Sequence, residues 1–190
     1  MYLVENYSVL KNFLFVLFFT GFCFCIKAAS VDSIFIYSQS MQKQIKCVVI
    51  KPSTYKEKNK KFPVVYLLHG HSGDYSNWIK KVPEIKNYAD QFNIIIVCPD
   101  GDFASWYFDS PVDTAFRYET HIAIELVNFI DNNYRTIADK NHRAITGLSM
   151  GGHGALFLAL RHPDIFGAAG SLSGGVDLNE SKNRFDISKR

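Results

Sequence analysis

The chain has 190 residues, of which 47% are hydrophobic and 21% charged, and its net charge is +3. This composition excludes a disordered or low-complexity chain, and the length fits one domain of ordinary size. The small net charge gives no reason to expect nucleic acid as a partner.

The N-terminal end has the pattern of a secretory signal peptide. Residues 13–26 form an apolar run that follows Lys11 and precedes the small residues at 28–30. The run is shorter than the about 20 apolar residues of a membrane-spanning helix, and its flanks are typical of an export signal. We therefore predict a signal peptide over residues 1–29, a secreted or periplasmic protein, and no stable membrane span after cleavage. A buried core helix is the less favoured alternative.

Removal of that segment leaves two cysteines, Cys47 and Cys98, each inside an apolar run typical of a strand. Export permits a disulfide, but two cysteines in such runs are more often buried thiols, and this is the state we expect. Their spacing offers no metal site, and we predict neither a metal nor a cofactor.

Apolar runs alternate with helical patterns along the rest of the chain. Residues 34–37 and 45–50 predict a β-hairpin, and four further runs predict strands buried on both faces, at 63–68, 94–98, 144–146 and 168–172. Residues 119–134 and 151–161 have helical periodicity. The alternation predicts an α/β domain over residues 30–190, with a mostly parallel sheet and helices on both faces.

One motif with clear chemistry follows the strand predicted at 144–146. Its sequence, Gly147-Leu148-Ser149-Met150-Gly151, is G-x-S-x-G between a strand and a helix, which is the nucleophile elbow. The serine of such a turn is strained, and the residues two before and two after it must be nearly free of side chains to avoid collision. We predict Ser149 as the nucleophile and the Met150 N–H, at the positive end of the helix, as an oxyanion donor.

A glycine-rich loop, His69-Gly70-His71-Ser72-Gly73, follows the first buried strand. Loops in this place supply the other oxyanion N–H in α/β-hydrolases, and the His71 backbone is the expected donor. A metal at His69 and His71 is disfavoured because no carboxylate or thiolate cluster lies nearby in the sequence. We expect His69 to order the loop by hydrogen bonds.

The order of these motifs resembles the esterase D-like family of "putative esterases". That family includes secreted feruloyl and acetylxylan esterases, S-formylglutathione hydrolases and mycobacterial mycolyltransferases. The likeness rests on H-G-H-S-G, a later N-W, P-D-G followed by S-W-Y, and G-L-S-M-G-G-H-G-A, and it runs from about residue 34 to about residue 175. It implies an α/β-hydrolase fold, with Ser149 as nucleophile and the backbone N–H groups of His71 and Met150 as the oxyanion hole.

The resemblance also implies that Trp78, Trp106 and Tyr107 lie beside the acyl or alcohol pocket, although packing between helix and sheet is an alternative for these aromatic residues. The implied function is hydrolysis of carboxylic esters, with acyl groups on carbohydrate favoured, through an acyl-enzyme on Ser149. The substrate would be a small-molecule or polysaccharide ester. The alternatives are an acyltransferase of the same fold and a non-catalytic carbohydrate-binding protein that has lost the triad. The sequence pattern does not indicate which oligomeric state the protein has.

The chain departs from the family pattern because no histidine stands where the family has its catalytic base. A serine hydrolase of this fold carries Ser, then Asp or Glu, then His in chain order. The only histidines after Ser149 are His153, which should point along the surface of the next helix, and His162, which ends that helix. Neither is expected to reach the serine. His121 and His142 precede Ser149 and violate the order. We therefore expect a fragment of a longer esterase, without the C-terminal acid and histidine and inactive by itself.

Overall fold

A computed structural model describes residues 28–181, 185 and 187, so nearly all of the predicted signal peptide lies outside the described residues. One six-stranded sheet forms from β1 Ser30–Ser38, β2 Lys43–Lys51, β3 Val64–Leu68, β4 Ile95–Pro99, β5 Arg143–Leu148 and β6 Ala168–Leu172. Each strand lies over a run that the sequence predicts as a strand. Each central strand carries β-branched residues, which favour the extended backbone.

The strand order is β1-β2-β4-β3-β5-β6. The predicted hairpin is confirmed, since β1 and β2 pair antiparallel, and β2 also pairs antiparallel with β4. Strands β3 to β6 pair in parallel, which confirms the mostly parallel sheet. β3 lies between β4 and β5, so the loops leaving β3 and β5 border a crevice at the carboxyl edge, where ligands bind in open α/β sheets.

Six helices accompany the sheet in the described residues: α1 Asn77–Lys81, α2 Ile85–Phe92, α3 Tyr118–Thr120, α4 Val127–Asn133, α5 Met150–Arg161 and α6 Leu178–Ser181. A π-helical segment, His121–Leu126, joins α3 to α4, so the helix predicted at 119–134 forms in three consecutive pieces. Two short 3₁₀ helices, Ser53–Lys56 and Lys140–His142, complete the elements. Among the described residues, none of the helices has the length and apolarity needed to span a bilayer.

Helices cover both faces of the sheet, as predicted. On one face the π-helical segment, α4 and α5 bury residues such as Leu126, Ile130 and Leu158 against the strands. On the other face α1 and α2 pack against side chains such as Ile50 and Ile96. Each fully buried aliphatic side chain stabilises the fold by about 1.5–3 kcal/mol, so these two layers of core hold the sheet between them.

The expectation of two buried thiols is confirmed, because Cys47 and Cys98 are both free and buried. They lie on neighbouring antiparallel strands, where Cys47 faces Pro99 and Val48 faces Cys98. Side chains of adjacent residues on a strand point to opposite faces, and the two thiols accordingly belong to different core layers. Burial raises the pKa of Cys98 to about 12.

β6 forms where the sequence predicts it, but its burial differs from the prediction. Four of its five residues are exposed, and Leu172 retains 52% of its accessible surface. β6 pairs only with β5 and is the edge strand of the sheet in the described part of the chain. The apolar run therefore predicts the position of the strand correctly, but it does not predict that the strand is exposed.

Candidate active site

Ser149 occupies the turn between β5 and α5, as the motif predicts. Its φ of 56° and ψ of −115° lie where non-glycine residues are rare. Its backbone N–H donates to the Leu172 carbonyl oxygen of β6 at 2.8 Å. The side chain is exposed, and the hydroxyl has no hydrogen bond with another described residue. The turn thus presents an unengaged hydroxyl at the carboxyl edge of the parallel strands.

The two glycines of the elbow are required by backbone contacts. A Cβ at Gly147 would lie 2.6 Å from the Gly151 carbonyl and 2.7 Å from the Leu68 carbonyl oxygen. A Cβ at Gly151 would lie 2.5 Å from that same Leu68 oxygen. A Cβ at Gly70 would come within 3.5 Å of the Ser149 Cβ, so the elbow and the loop after β3 are in direct contact.

Two backbone N–H groups near Ser149 have the geometry predicted for oxyanion donors. Met150 is the first residue of α5, so its N–H has no intrahelical acceptor and lies at the positive end of the helix dipole. The His71 N–H has no acceptor among the described residues, whereas the Ser72 N–H donates to the Phe103 carbonyl oxygen at 2.8 Å. The placement fits the oxyanion hole, and that role stays a prediction.

His69 ties the loop after β3 to the loop after β4. Its Nε2 accepts a hydrogen bond from the Gly101 N–H at 2.8 Å, so the proton resides on Nδ1, which donates to the Gly70 carbonyl oxygen at 2.8 Å. Burial lowers the pKa of His69, which favours this neutral form. The hydrogen bonds match the loop-ordering role expected from the sequence. No group of three or more metal-binding side chains occurs in the described part of the chain.

Tyr107 is fully buried beneath that loop, with a φ of 61°. Its hydroxyl donates to the His69 carbonyl oxygen at 2.9 Å, and its ring fills the space that Gly101 and Gly154 leave by having no side chain. Desolvation raises the pKa of Tyr107 well above its usual value. The side chain supports the loop from below and does not border the cavity beside Ser149.

A cavity of about 230 Å³ lies beside Ser149. Its walls come from the loop after β3, from α1 and the residue after it, and from the elbow: His69, Gly70, His71, Asn77, Trp78, Lys81, Val82, Leu148 and Ser149. Trp78 is the predicted pocket residue that the structure places here, and its Nε1 also donates to the Leu68 carbonyl oxygen at 3.1 Å. Its ring belongs in addition to the core layer under α1, so Trp78 both lines the cavity and packs against the sheet, and its place in an acyl or alcohol pocket stays a prediction.

Sequence reasoning missed Asn77, Lys81 and Val82 as lining residues. A usable signal exists, because Lys81 and Val82 follow Trp78 by three and four residues, the spacing that places side chains on the same side of a helix. Lys81 is exposed and forms no ion pair within the described residues. It therefore adds a free positive charge to the wall of this cavity.

Trp106 lies away from this cavity. It is 3% exposed, its ring centroid is 5.4 Å from that of His153, and its Nε1 donates to the Phe185 carbonyl oxygen at 3.2 Å. Its φ of 54° belongs to the tight loop after β4. Trp106 thus packs between α5 and residue 185, which agrees with the packing alternative.

All six histidines of the chain lie in the described residues, and none has a hydrogen bond to the Ser149 hydroxyl. Four have polar partners: His69 with Gly70 and Gly101, His121 with Glu125, His142 with Asp139, and His162 with Glu119. His71 packs on the rings of Phe103 and Phe185, and His153 packs on those of Trp106 and Phe157 and interacts with the Gly175 backbone. No imidazole in the described structure is hydrogen-bonded to the Ser149 hydroxyl as a base would be.

His153 differs from its predicted position on the helix surface. It is 7% exposed, and its Nε2 is buried without a hydrogen-bond partner in the described structure. Burial lowers its pKa. The sequence correctly predicts that His153 does not serve Ser149, but the reason is burial against Trp106 and Phe157 rather than exposure.

Known proteins with similar sequences are esterases and related antigens. The chain is 36% identical over 133 residues to Esterase Rv1288 of Mycobacterium tuberculosis, an alignment that covers 68% of this chain and 29% of that protein. It is 33% identical over 166 residues to an endo-1,4-beta-xylanase/feruloyl esterase of Xylanibacter ruminicola, covering 82% of this chain and 23% of that protein. The chain thus spans less than a third of the length of either relative.

Solved structures give the same result. A ferulic acid esterase matches with a TM-score of 0.70 and 32% identity, covering 78% of this chain and 59% of that one. A fluorophosphonate-binding serine hydrolase of Staphylococcus aureus matches with a TM-score of 0.74 at 22% identity, covering 82% of this chain and 61% of that one, which supports the fold alone.

The family model described as "Putative esterase" matches residues 38–183, which include the elbow, the loop after β3 and the cavity between them. The fold and the motif order agree with that match. The chain therefore belongs to the "Putative esterase" family and has the α/β-hydrolase fold.

Proposed function

We propose that the chain forms the nucleophile-bearing part of a secreted carboxylic-ester hydrolase that works through an acyl-enzyme on Ser149. The observation that carries this proposal is the strained turn at Ser149, with a hydroxyl free of partners in the described structure and a cavity of about 230 Å³ beside it. Family membership supports the reaction class. Secretion rests on the signal-peptide pattern of residues 1–29.

In this proposal the Ser149 oxygen attacks the acyl carbon of the ester and forms a tetrahedral intermediate. The backbone N–H groups of His71 and Met150 donate to its oxyanion, and the N-terminus of α5 adds a favourable electrostatic field. The alcohol leaves when the intermediate collapses, and water then releases the acid from Ser149. Removal of one oxyanion donor typically costs about 10²–10³ in kcat.

The base is the component that the described residues do not supply. Attack by a serine hydroxyl at neutral pH needs a group to accept its proton, and that group in turn needs a carboxylate to orient it. Since all six imidazoles are held by other residues, we propose that the histidine and the acid come from polypeptide other than these 190 residues. The chain by itself should then have little or no turnover.

We propose acyl groups on carbohydrate as the substrate class. An exported hydrolase meets polysaccharide esters, and the relatives include proteins named for feruloyl ester cleavage. The cavity beside Ser149 carries the indole of Trp78 and the free ammonium of Lys81, which suit an acyl group with an apolar body and an oxygen-bearing end.

Labelling with a fluorophosphonate probe tests the proposal. The protein is purified from its natural source, labelled, and digested, and the modified peptide is identified by mass spectrometry. We expect an adduct on Ser149, which disappears in the Ser149→Ala variant made in the same organism. A natural protein that folds and stays unlabelled would refute the esterase proposal.

That negative result would favour a second candidate, a carbohydrate-binding protein that has the fold without the triad. The observation in its favour is the lack of a hydrogen bond between the Ser149 hydroxyl and any of the six histidine side chains in the described structure. The third candidate, acyl transfer to a sugar hydroxyl, shares every described residue with hydrolysis. Analysis of the products formed with added carbohydrate separates those two reactions.

A further inference from the structure

A second cavity lies at the same edge of the sheet as Ser149, on the side of β2 and β4. Its volume is about 280 Å³, near the lower end of the range for small-molecule sites. Its lining comes from the β1–β2 hairpin, the loop after β4 and the start of α3: Phe35, Lys43, Gln44, Ile45, Lys46, Asp100, Asp102 and Tyr118. None of these residues lines the cavity beside Ser149.

The charges of this second cavity cancel. Lys43 and Lys46 contribute two positive charges, and Asp100 and Asp102 contribute two negative ones. A strongly anionic or cationic ligand would therefore meet as much repulsion as attraction. A neutral ligand whose groups both donate and accept hydrogen bonds would find ammonium and amide donors beside carboxylate acceptors.

Several of these polar groups are available to a ligand. The Gln44 amide and the Lys46 ammonium have no hydrogen-bond partner among the described residues. Asp100 and Asp102 each use one carboxylate oxygen, Oδ1, to accept from the backbone two residues ahead, at 2.8 Å and 3.4 Å. The second oxygen of each carboxylate has no hydrogen bond to the described structure.

An exposed aromatic ring completes the cavity. Phe35 points outward from β1 with 61% of its surface exposed, although it pairs across the hairpin with the polar Lys46. The Lys46 ammonium lies 5.4 Å from the Phe35 ring centroid and 5.3 Å from that of Tyr75. Aromatic faces carry negative charge density and attract positively polarised C–H groups, such as those on the apolar face of a pyranose ring.

The second cavity adjoins the first through a shared wall. Asp100 Oδ1 is 3.9 Å from Nε2 of His69, which lines the Ser149 cavity. Phe103 directly follows Asp102, and its ring centroid is 4.8 Å from that of His71, another wall residue of the Ser149 cavity. A ligand long enough to occupy both cavities would cross only this wall.

We propose that the second cavity is a carbohydrate subsite, which binds neutral glycosyl units of the same chain that carries its ester at Ser149. This inference rests on the proposed function for its role in catalysis, but the binding itself does not require Ser149. The ring stacks on Phe35, its hydroxyls donate to Asp100 and Asp102, and they accept from Gln44 and Lys46.

Binding of a sugar without an ester tests the subsite. Arabinoxylan oligosaccharides, freed of acyl groups with alkali, are titrated into the 190-residue chain and followed by calorimetry. We expect Phe35→Ala to weaken binding about tenfold and Asp102→Asn to weaken it several-fold. Phe92→Ala is the matched control, because Phe92 is equally exposed, at 61%, on α2 and should leave the affinity unchanged.

Thermal unfolding of each variant establishes that the protein is folded before titration. No binding at millimolar oligosaccharide, or binding that Trp78→Ala abolishes and Phe35→Ala leaves intact, would overturn the subsite. Fluorophosphonate labelling of the protein purified from its natural source keeps the two proposals separate. A labelled Ser149 with no sugar binding refutes the subsite alone, whereas Phe35-dependent binding with an unlabelled Ser149 refutes the esterase alone.

Discussion

The start of helix α5 and its outer side differ in how tightly they pack against the rest of the fold. At its start, Gly147 and Gly151 pack against the backbone at the end of β3, where a Cβ would lie 2.5–2.7 Å from carbonyl atoms. Along its outer side, Leu160 is 80% exposed, and Val176, after β6, is 66% exposed. The nucleophile is thus fixed by rigid backbone contacts, while the flank near β6 presents apolar surface to solvent. Substitutions at the elbow should therefore destabilise the fold strongly, whereas substitutions at the flank should not.

A backbone hydrogen bond connects the elbow to β6, from the Ser149 N–H to the Leu172 carbonyl oxygen. It runs from the tightly packed elbow to the exposed edge strand. We therefore expect substitutions at the elbow to lower the free energy of unfolding more than substitutions at the flank.

At the elbow, a large loss of stability is expected for Gly151→Ala. The new methyl group must displace the Leu68 and His69 carbonyls, and we expect about 3 kcal/mol off the free energy of unfolding in urea. Gly70→Ala is the control, because its nearest atom is 3.2 Å away, and it should cost clearly less. Equal losses in the two variants would contradict the steric account.

Tyr107→Phe should cost about 1–2 kcal/mol. It deletes the hydroxyl that donates to His69 and leaves that buried carbonyl oxygen without this donor. The control is Tyr88→Phe, since Tyr88 is 47% exposed on α2. A loss no larger than that of the control, measured by the same urea titration, would mean that Tyr107 does not support the loop.

A smaller effect is expected from the buried imidazole of His153. Burial lowers its folded pKa, whereas the unfolded chain has the ordinary value of about 6.5. Below pH 6.5 the unfolded state therefore binds a proton that the folded state refuses, so stability falls as the pH decreases from 7 to 5. Urea titrations across this range should give a flatter pH dependence for His153→Phe. If the free energy of unfolding depended on pH equally in both proteins, the lowered pKa of His153 would be contradicted.

The smallest effect is expected on the flank. Leu160→Ala removes an exposed side chain and should change the free energy of unfolding by no more than about 0.5 kcal/mol. Leu158→Ala on the same helix is the matched control, because Leu158 is fully buried and its truncation should cost about 2–5 kcal/mol. A large loss at Leu160 would mean that the flank is covered in solution.

Local patterns predict most of the fold. The strand runs, the hairpin and the elbow all depend on neighbours in sequence, and each forms where its residues indicate. The burial of β6 and His153 could not be predicted in this way, because it depends on which distant segments lie against them. Lining residues such as Lys81 were missed for a similar reason: the spacing from Trp78 places Lys81 on the same side of the helix, but it does not show that this side borders a cavity.

The central claim is that Ser149 is positioned for catalysis without a base from its own 190 residues. The most direct measurement is hydrolysis of p-nitrophenyl acetate by this chain and by its Ser149→Ala variant, both folded. We expect the two rates to be nearly equal, because no imidazole in the described structure engages Ser149. Ser149-dependent turnover at an ordinary enzymatic rate, roughly 1–1,000 per second, would contradict the account.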